Sequence, residues 1–305
     1  MISVGFDPVF RDITVKLFSE DGTLARSLPP PGVHHPYSSV SEMAGGNGVN
    51  VYRSLQKLGV ESELIIACDQ SFAQLLNSER LTFHQFAELK SNSTIILSYK
   101  NNETQINAVA MELGKSLWSE ELHKRWNNSP ISVSTNWWLN PLAPDWVACQ
   151  ILSSCGIPYS EIIEDPVGQY LSTDLSLNRP FITDPGMISK HKDADILISI
   201  LRKLVLDPKT VLIGNEHEIP PILPNLGGHH LVIEHRADSV RIIEGEVKTL
   251  ISVPPLPDGD RNFVGAGDAF LAGFISGYVA DPDSAVSKAN FVARAHILGT
   301  PAKLG

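Results

Sequence analysis

Residues 262 to 274 read Asn262-Phe263-Val264-Gly265-Ala266-Gly267-Asp268-Ala269-Phe270-Leu271-Ala272-Gly273-Phe274. Three small residues precede an acid, and the acid precedes an apolar run with helical spacing. That order predicts a tight glycine turn feeding the first turn of a buried helix. The backbone N–H groups of Gly265, Ala266 and Gly267 would face outward at the helix N-terminus, where aligned peptide dipoles favour an anion. A carboxylate beside an anion is electrostatically costly. Asp268 in that place therefore suggests chemistry, namely a base next to a transferring phosphoryl group. The same residues would also make a simple capped helix start, so the reading depends on what the rest of the chain supplies.

Other segments could line the same site. Gly45-Gly46-Asn47-Gly48-Val49-Asn50 leads into Val51, Leu55 and Leu58, with Gly59 behind. This is a glycine turn, a short amphipathic helix and a glycine C-cap. Thr210-Val211-Leu212-Ile213-Gly214 reads as a strand ending at Asn215-Glu216-His217-Glu218, and Pro180–Asp184 as a strand ending at Pro185-Gly186. Asp7 and Asp12 follow a short first strand, Ile2 to Phe6. Acids in such turns also serve as turn formers.

The elements between these motifs alternate. Residues 11 to 42 include Ile13–Phe18, a hairpin signal at Asp21-Gly22 and a Pro29-Pro30-Pro31-Gly32 breaker, and read as a small β excursion. Glu63–Ala67 is a buried strand, and Thr94–Tyr99 with Thr104–Val109 form a second excursion as a hairpin. Helices are expected over Ala194–Leu206, Ala269–Val279 and Ser284–Leu298, and Leu231–Ile233 pairs with Val240–Ile243 around Ala237-Asp238. Alternating β and α elements predict an α/β chain with a mainly parallel sheet covered on both faces.

Other readings fail on spacing. Gly114-Lys115-Ser116 lacks the first glycine of a phosphate loop, because that position is Val109. Gly46-x-Gly48 and Gly265-x-Gly267 lack the third glycine of a dinucleotide turn. His34-His35 and His229-His230 have no acid or cysteine at ligand spacing. Trp137-Trp138 reads as packing.

Composition narrows the function classes. The 305 residues carry 24 basic and 34 acidic side chains, a formal charge of −10, and no Lys or Arg run suited to nucleic acid. An acidic chain that binds a nucleotide must do so locally, through backbone amides, a metal and a few placed cations. Three cysteines without a C-x-x-C pair suit a reducing compartment. The first residues lack a signal-peptide pattern and no stretch has membrane-spanning length, so a cytoplasmic protein without a membrane partner is expected.

Taken in order, the Gly45–Asn50 turn, Asp184-Pro185, Asn215-x-x-Glu218 and the Gly-Ala-Gly-Asp motif resemble the signatures of the ribokinase-like (PfkB) carbohydrate kinases. The resemblance implies a single domain, 1–305: a three-layer αβα sandwich with a mainly parallel central sheet and a small β-sheet lid from segments 11–42 and 93–110. It implies ATP-dependent phosphoryl transfer to a hydroxyl of a sugar or sugar phosphate, with Mg2+. Asp268 would be the catalytic base, and Gly265, Ala266 and Gly267 the anion hole. Asp7, Asp12, Gly45, Gly46 and Asn50 would bind the substrate. Asn215 and Glu218 would orient the metal through its waters, and Asn215, Gly265, Gly267 and Asn290 would bind the nucleotide. The lid implies a homodimer.

The chain departs from that pattern on the donor side. Phe263 and Val264 replace the usual hydroxyl residues before the motif. Glu234-His235-Arg236-Ala237-Asp238 stands where a Thr-x-Gly turn would touch nucleotide phosphates, and Glu234 and Asp238 would repel ATP unless Arg236 compensates. Ala67-Cys68-Asp69-Gln70 shortens a further family motif. These losses keep a second expectation open: a ribokinase-fold protein that binds sugar or nucleotide as a sensor or assembly partner without catalysis.

Overall fold

The computed structural model describes residues 1–5, 9–19, 21–30, 38–65, 67–68, 70–76, 84–85, 92–99, 102–109, 113–226, 231–257, 261, 263–281 and 284–302. Asp7, Asp69, Asn262 and both histidine pairs lie outside them.

The chain opens with strand β1 (Ile2–Gly5), then β2 (Phe10–Leu17) and β3 (Ser38–Gly45). Helix α1 (Asn47–Lys57) follows, with β4 (Ser62–Ile65), β5 (Ala67–Cys68), α2 (Gln70–Leu76) and β6 (His84–Gln85). The hairpin β7 (Asn92–Tyr99) and β8 (Asn102–Ala108) precedes α3 (Glu120–Asn127) and β9 (Ser132–Thr135). Next come α4 (Ala143–Ser154), α5 (Tyr159–Ile162), α6 (Pro166–Ser172), β10 (Phe181–Asp184), α7 (Ala194–Leu204), β11 (Thr210–Asn215) and α8 (Ile219–Ile222). The chain finishes with β12 (Leu231–His235), β13 (Ser239–Glu244), β14 (Val247–Ser252), α9 (Ala266–Ala280) and α10 (Ala285–Ile297).

Eight strands form the main sheet in the order β14-β13-β12-β11-β10-β9-β1-β4. It is parallel from β12 to β4, and β13 and β14 extend it as an antiparallel edge. Strands buried on both faces need continuous apolar runs, and Val211, Leu212 and Ile213 supply one, each no more than 2% exposed. One helical layer groups α1, α9 and α10, and the other α3, α4, α6 and α7, making the sandwich three layers deep. A separate four-stranded sheet, β3-β2-β7-β8, combines the two β excursions.

Helix α9 is buried on all sides from Asp268 to Gly277. A Cβ on Gly273 would stand 2.8 Å from Ala289 Cα, and one on Gly277 would stand 2.5 Å from Ala285 Cα. These two glycines therefore let the α10 backbone lie directly against α9. The contact fixes the height of the α9 N-terminus, and with it Asp268.

Candidate active site

A cavity of about 110 Å³ opens between the second sheet and the N-terminal end of α9. Asp12, Thr94, Gln105 and Asn107 line it from the second sheet, and Gly46, Asn47 and Asn50 from the start of α1. Asn136, Gly265 and Asp268 complete its polar wall. Segments more than 200 residues apart in sequence thus meet at one point.

Local backbone chemistry sets these positions. Gly46 has φ 103° and ψ 148°, a conformation closed to residues with a Cβ, and it turns β3 into α1. Gly265, at φ 77° and ψ 9°, is left-handed and starts α9. The Gly45 position has no room for a side chain, because a Cβ there would fall 1.8 Å from Asp12 Oδ2. The register of the second sheet places Asp12 beside Thr94 and Thr94 beside Asn107, so the three share one face. Thr94 Oγ1 donates to Asn107 Oδ1 at 2.9 Å.

Asp268 is buried, and Asn50 Nδ2 donates to its Oδ2 at 2.9 Å. Burial pushes the Asp268 carboxyl up to about 7; the Asn50 hydrogen bond works against that rise, while the charges of Asp12 and Glu218 add to it. Burial also raises Asp12 to about 6, opposed by hydrogen bonding with Thr94 and by the charge of Arg53. A carboxyl near 7 is suited to accept a proton at neutral pH.

At the end of β11, Glu218 Oε2 accepts the Asn215 backbone N–H at 2.8 Å, and Asn215 Oδ1 accepts that of His217 at 2.8 Å. Burial raises the Glu218 carboxyl, with its hydrogen bonds from Asn215 opposing. The pair offers hard oxygen donors close enough to Asp268 to act on it electrostatically. That donor chemistry fits Mg2+, which keeps much of its water shell and binds few protein carboxylates.

Of the residues expected from sequence, Asp12, Gly46, Asn50, Gly265 and Asp268 share the cavity, and Gly45 backs it. The Ala266 amide donates to Phe263 O at 3.1 Å across the αL turn at Gly265. Asn290 belongs to α10.

The donor-side departures have a structural outcome. Glu234 is fully buried, and its Oε1 pairs with Arg236 and, at 2.9 Å, with Arg241. Two guanidiniums on one carboxylate leave the cluster positive. Asp238 accepts the Ser239 hydroxyl at 2.8 Å.

Several residues at this edge went unnoticed in the sequence. Asn136 adopts the left-handed conformation, φ 59°, the one non-glycine with positive φ among the described residues. Its N–H donates to Asp184 O at 2.8 Å, so the Asp184-Pro185 turn serves to hold Asn136. His235 stacks on Phe270, ring centroids 4.7 Å apart, and lies against Gly267. Burial holds the His235 imidazole neutral down to about 4. His296 Nε2 donates to Val264 O at 2.6 Å, reaching the turn at Gly265 from α10. No spacing signal marks either histidine.

No protein-family model matches the chain, and no curated protein does. Solved structures do match. Ribokinase from Thermotoga maritima aligns over 100% of this chain and 94% of its own at 18% identity, TM-score 0.65. A carbohydrate kinase from Agrobacterium tumefaciens aligns over 100% and 93% at 18% identity, TM-score 0.66. Trypanosoma brucei brucei adenosine kinase aligns over 97% and 98% at 15% identity, TM-score 0.66. Full-length coverage, together with the two sheets and their strand orders, establishes that this chain has the ribokinase-like fold.

Proposed function

We propose that this protein is an ATP-dependent kinase that transfers the γ-phosphoryl group to a hydroxyl of a small sugar-like acceptor. The observation that carries the reading is Asp268: a buried carboxyl near 7, bonded to Asn50, standing in the first turn of α9 and facing a polar cavity. A non-catalytic binding protein has no use for a base so placed.

Asp268 takes the proton from the acceptor hydroxyl as its oxygen attacks the γ-phosphorus. The new O–P bond forms as the bond to the β,γ-bridging oxygen breaks, and ADP leaves. The Gly265 and Gly267 amides stabilise the charge shifting across the transferred group, the main service phosphoryl transfer asks of a protein. Asn50 holds Asp268 and reaches the acceptor with its remaining amide capacity. Asn215 and Glu218 would hold Mg2+ through its waters, and the ion would offset charge on the donor phosphates.

The second sheet, β3-β2-β7-β8, acts as the lid expected from segments 11–42 and 93–110. It carries Asp12 into the site, and its closure excludes water that would otherwise hydrolyse ATP. Its opposite face exposes Val40, Ile95 and Ile106, and a homodimer through this face is part of the proposal. So are a cytoplasmic location and the lack of nucleic-acid and membrane partners. Among the described residues no helix is long and apolar enough to cross a membrane.

The test is ADP release with Mg-ATP across free sugars, sugar phosphates and nucleosides. Turnover dependent on one acceptor class is expected. ADP release that no acceptor stimulates would overturn the kinase reading in favour of the non-catalytic relative.

A further inference from the structure

Strand β12 sends alternate side chains to opposite faces of the main sheet. Glu234 meets the guanidiniums of Arg236 and Arg241 on one face. His235, one residue on, meets α9 on the other, where its ring lies over Phe270 with centroids 4.7 Å apart and planes 29° from parallel. The parallel register sets His235 beside Asn215 at the end of β11. Its ring edge runs along the first turn of α9: a Cβ on Gly267 would stand 3.7 Å from His235 Cε1 and 3.9 Å from Nε2. His235 is thus next to both the strand end assigned to Mg2+ and the turn assigned to the transferred group.

Stacking accounts for the faces of this ring and not for its nitrogens. An imidazole carries at least one N–H in either protonation state, and a donor in a folded interior calls for an acceptor. Among the described residues neither ring nitrogen of His235 has a hydrogen-bond partner. His123, His191 and His296, by contrast, each bond through the ring, to Ser153, to Asn140 and Asp193, and to Val264. A phenylalanine would stack on Phe270 as well, so packing alone does not require an imidazole here. His235 is also partly exposed, which leaves its edge within reach of a ligand at the turn.

We infer that His235 is a further catalytic residue, donating its free N–H to a non-bridging oxygen of the γ-phosphoryl group at the Gly265–Gly267 turn. The assignment rests on the kinase reading. No proton moves through the imidazole: Asp268 takes the acceptor proton, the β,γ-bridging oxygen leaves with ADP, and His235 keeps its hydrogen throughout. What it supplies is a donor fixed in advance where negative charge shifts, so that no reorganisation is needed during the step. The β12 backbone and the Phe270 stack do the fixing.

The test uses the full chain and two variants. His235→Phe keeps the stack and removes the N–H, and His235→Gln returns an amide donor near the Nε2 position. In acceptor-dependent ADP release under saturating Mg-ATP, His235→Phe should lose roughly 10²-fold in kcat with acceptor KM unchanged. His235→Gln should recover about tenfold of that loss. Calorimetry without acceptor should show His235→Phe weakening Mg-ATP roughly tenfold and leaving Mg-ADP within a few-fold of wild type, because only ATP carries the γ group. His235→Phe at the wild-type kcat, equal losses in both variants, or ATP and ADP weakened alike would overturn the inference. If no acceptor stimulates ADP release, the kinase reading fails and calorimetry alone decides the contact. A wild-type preference for ATP over ADP that His235→Phe abolishes would then uphold it, and any other binding result would overturn it.

Discussion

Asn50 Nδ2 lies 2.9 Å from Asp268 Oδ2, joining two helix starts separated by 218 residues of sequence. The bond favours the ionised form of a carboxyl that burial otherwise holds up to about 7. Removing the donor should therefore raise the Asp268 midpoint further. For Asn50→Ala the acidic limb of the kcat–pH profile should move up by about one unit. A limb that stays in place would mean that another group titrates there.

The pH dependence of stability follows from the same carboxyl, with its sign set by the direction of the shift. Its folded midpoint, about 7, lies above the ordinary value of 3.8. Between those values the folded state binds more protons than the unfolded state, so stability falls as pH rises through the window. Asp268→Asn removes that cost. The variant should melt on the order of 4 °C above wild type at pH 8, with the difference shrinking toward pH 4. Melting curves from pH 4 to 8 measure it, and a variant less stable than wild type at pH 8 would contradict the assignment.

His296 reaches from α10 to the turn before Asp268, donating to Val264 O at 2.6 Å. His296→Ala should loosen the turn, lowering kcat roughly tenfold with little change in acceptor KM. His296→Gln retains an amide donor and should recover part of the loss. Equal damage by both substitutions would point to packing instead of the hydrogen bond.

Glu234 holds Arg236 and Arg241 from a fully buried position. Glu234→Ala should destabilise the fold by about 2 kcal/mol in urea, less than a fully enclosed pair, because both guanidiniums retain some water. It should also leave two unopposed cations at the donor edge.

The two motif-bearing helix starts were readable because their signal is local. Glycine turns followed by periodic apolar residues describe α1 and α9 almost as they stand, although α9 begins three residues before the predicted Ala269, at Ala266. The lid excursions were recognised, yet β3 was not seen as a strand because Ser38–Gly45 has no alternating apolar pattern. The final strand β14 was missed because Val247–Ser252 is an exposed edge and carries no burial signal. Strand β9 hid for the opposite reason. Its buried serines are satisfied by tertiary partners, with Ser134 donating to Gln150 at 2.6 Å and Ser132 hydrogen-bonded to Ser154 at 3.1 Å. Asn136, which follows that polar strand into the cavity, was invisible for the same reason. The bond from the Ala266 amide to Phe263 O depends on how the turn closes, which residue types alone do not specify.

The central claim is that Asp268 is a base and not a cap. The most direct measurement compares wild type and Asp268→Asn for acceptor-dependent ADP release under saturating Mg-ATP, with acceptor affinity followed in parallel by calorimetry. The account predicts a fall in kcat of roughly 10²–10⁴ with acceptor affinity retained within a few-fold. An Asp268→Asn variant that turns over at the wild-type rate would contradict it.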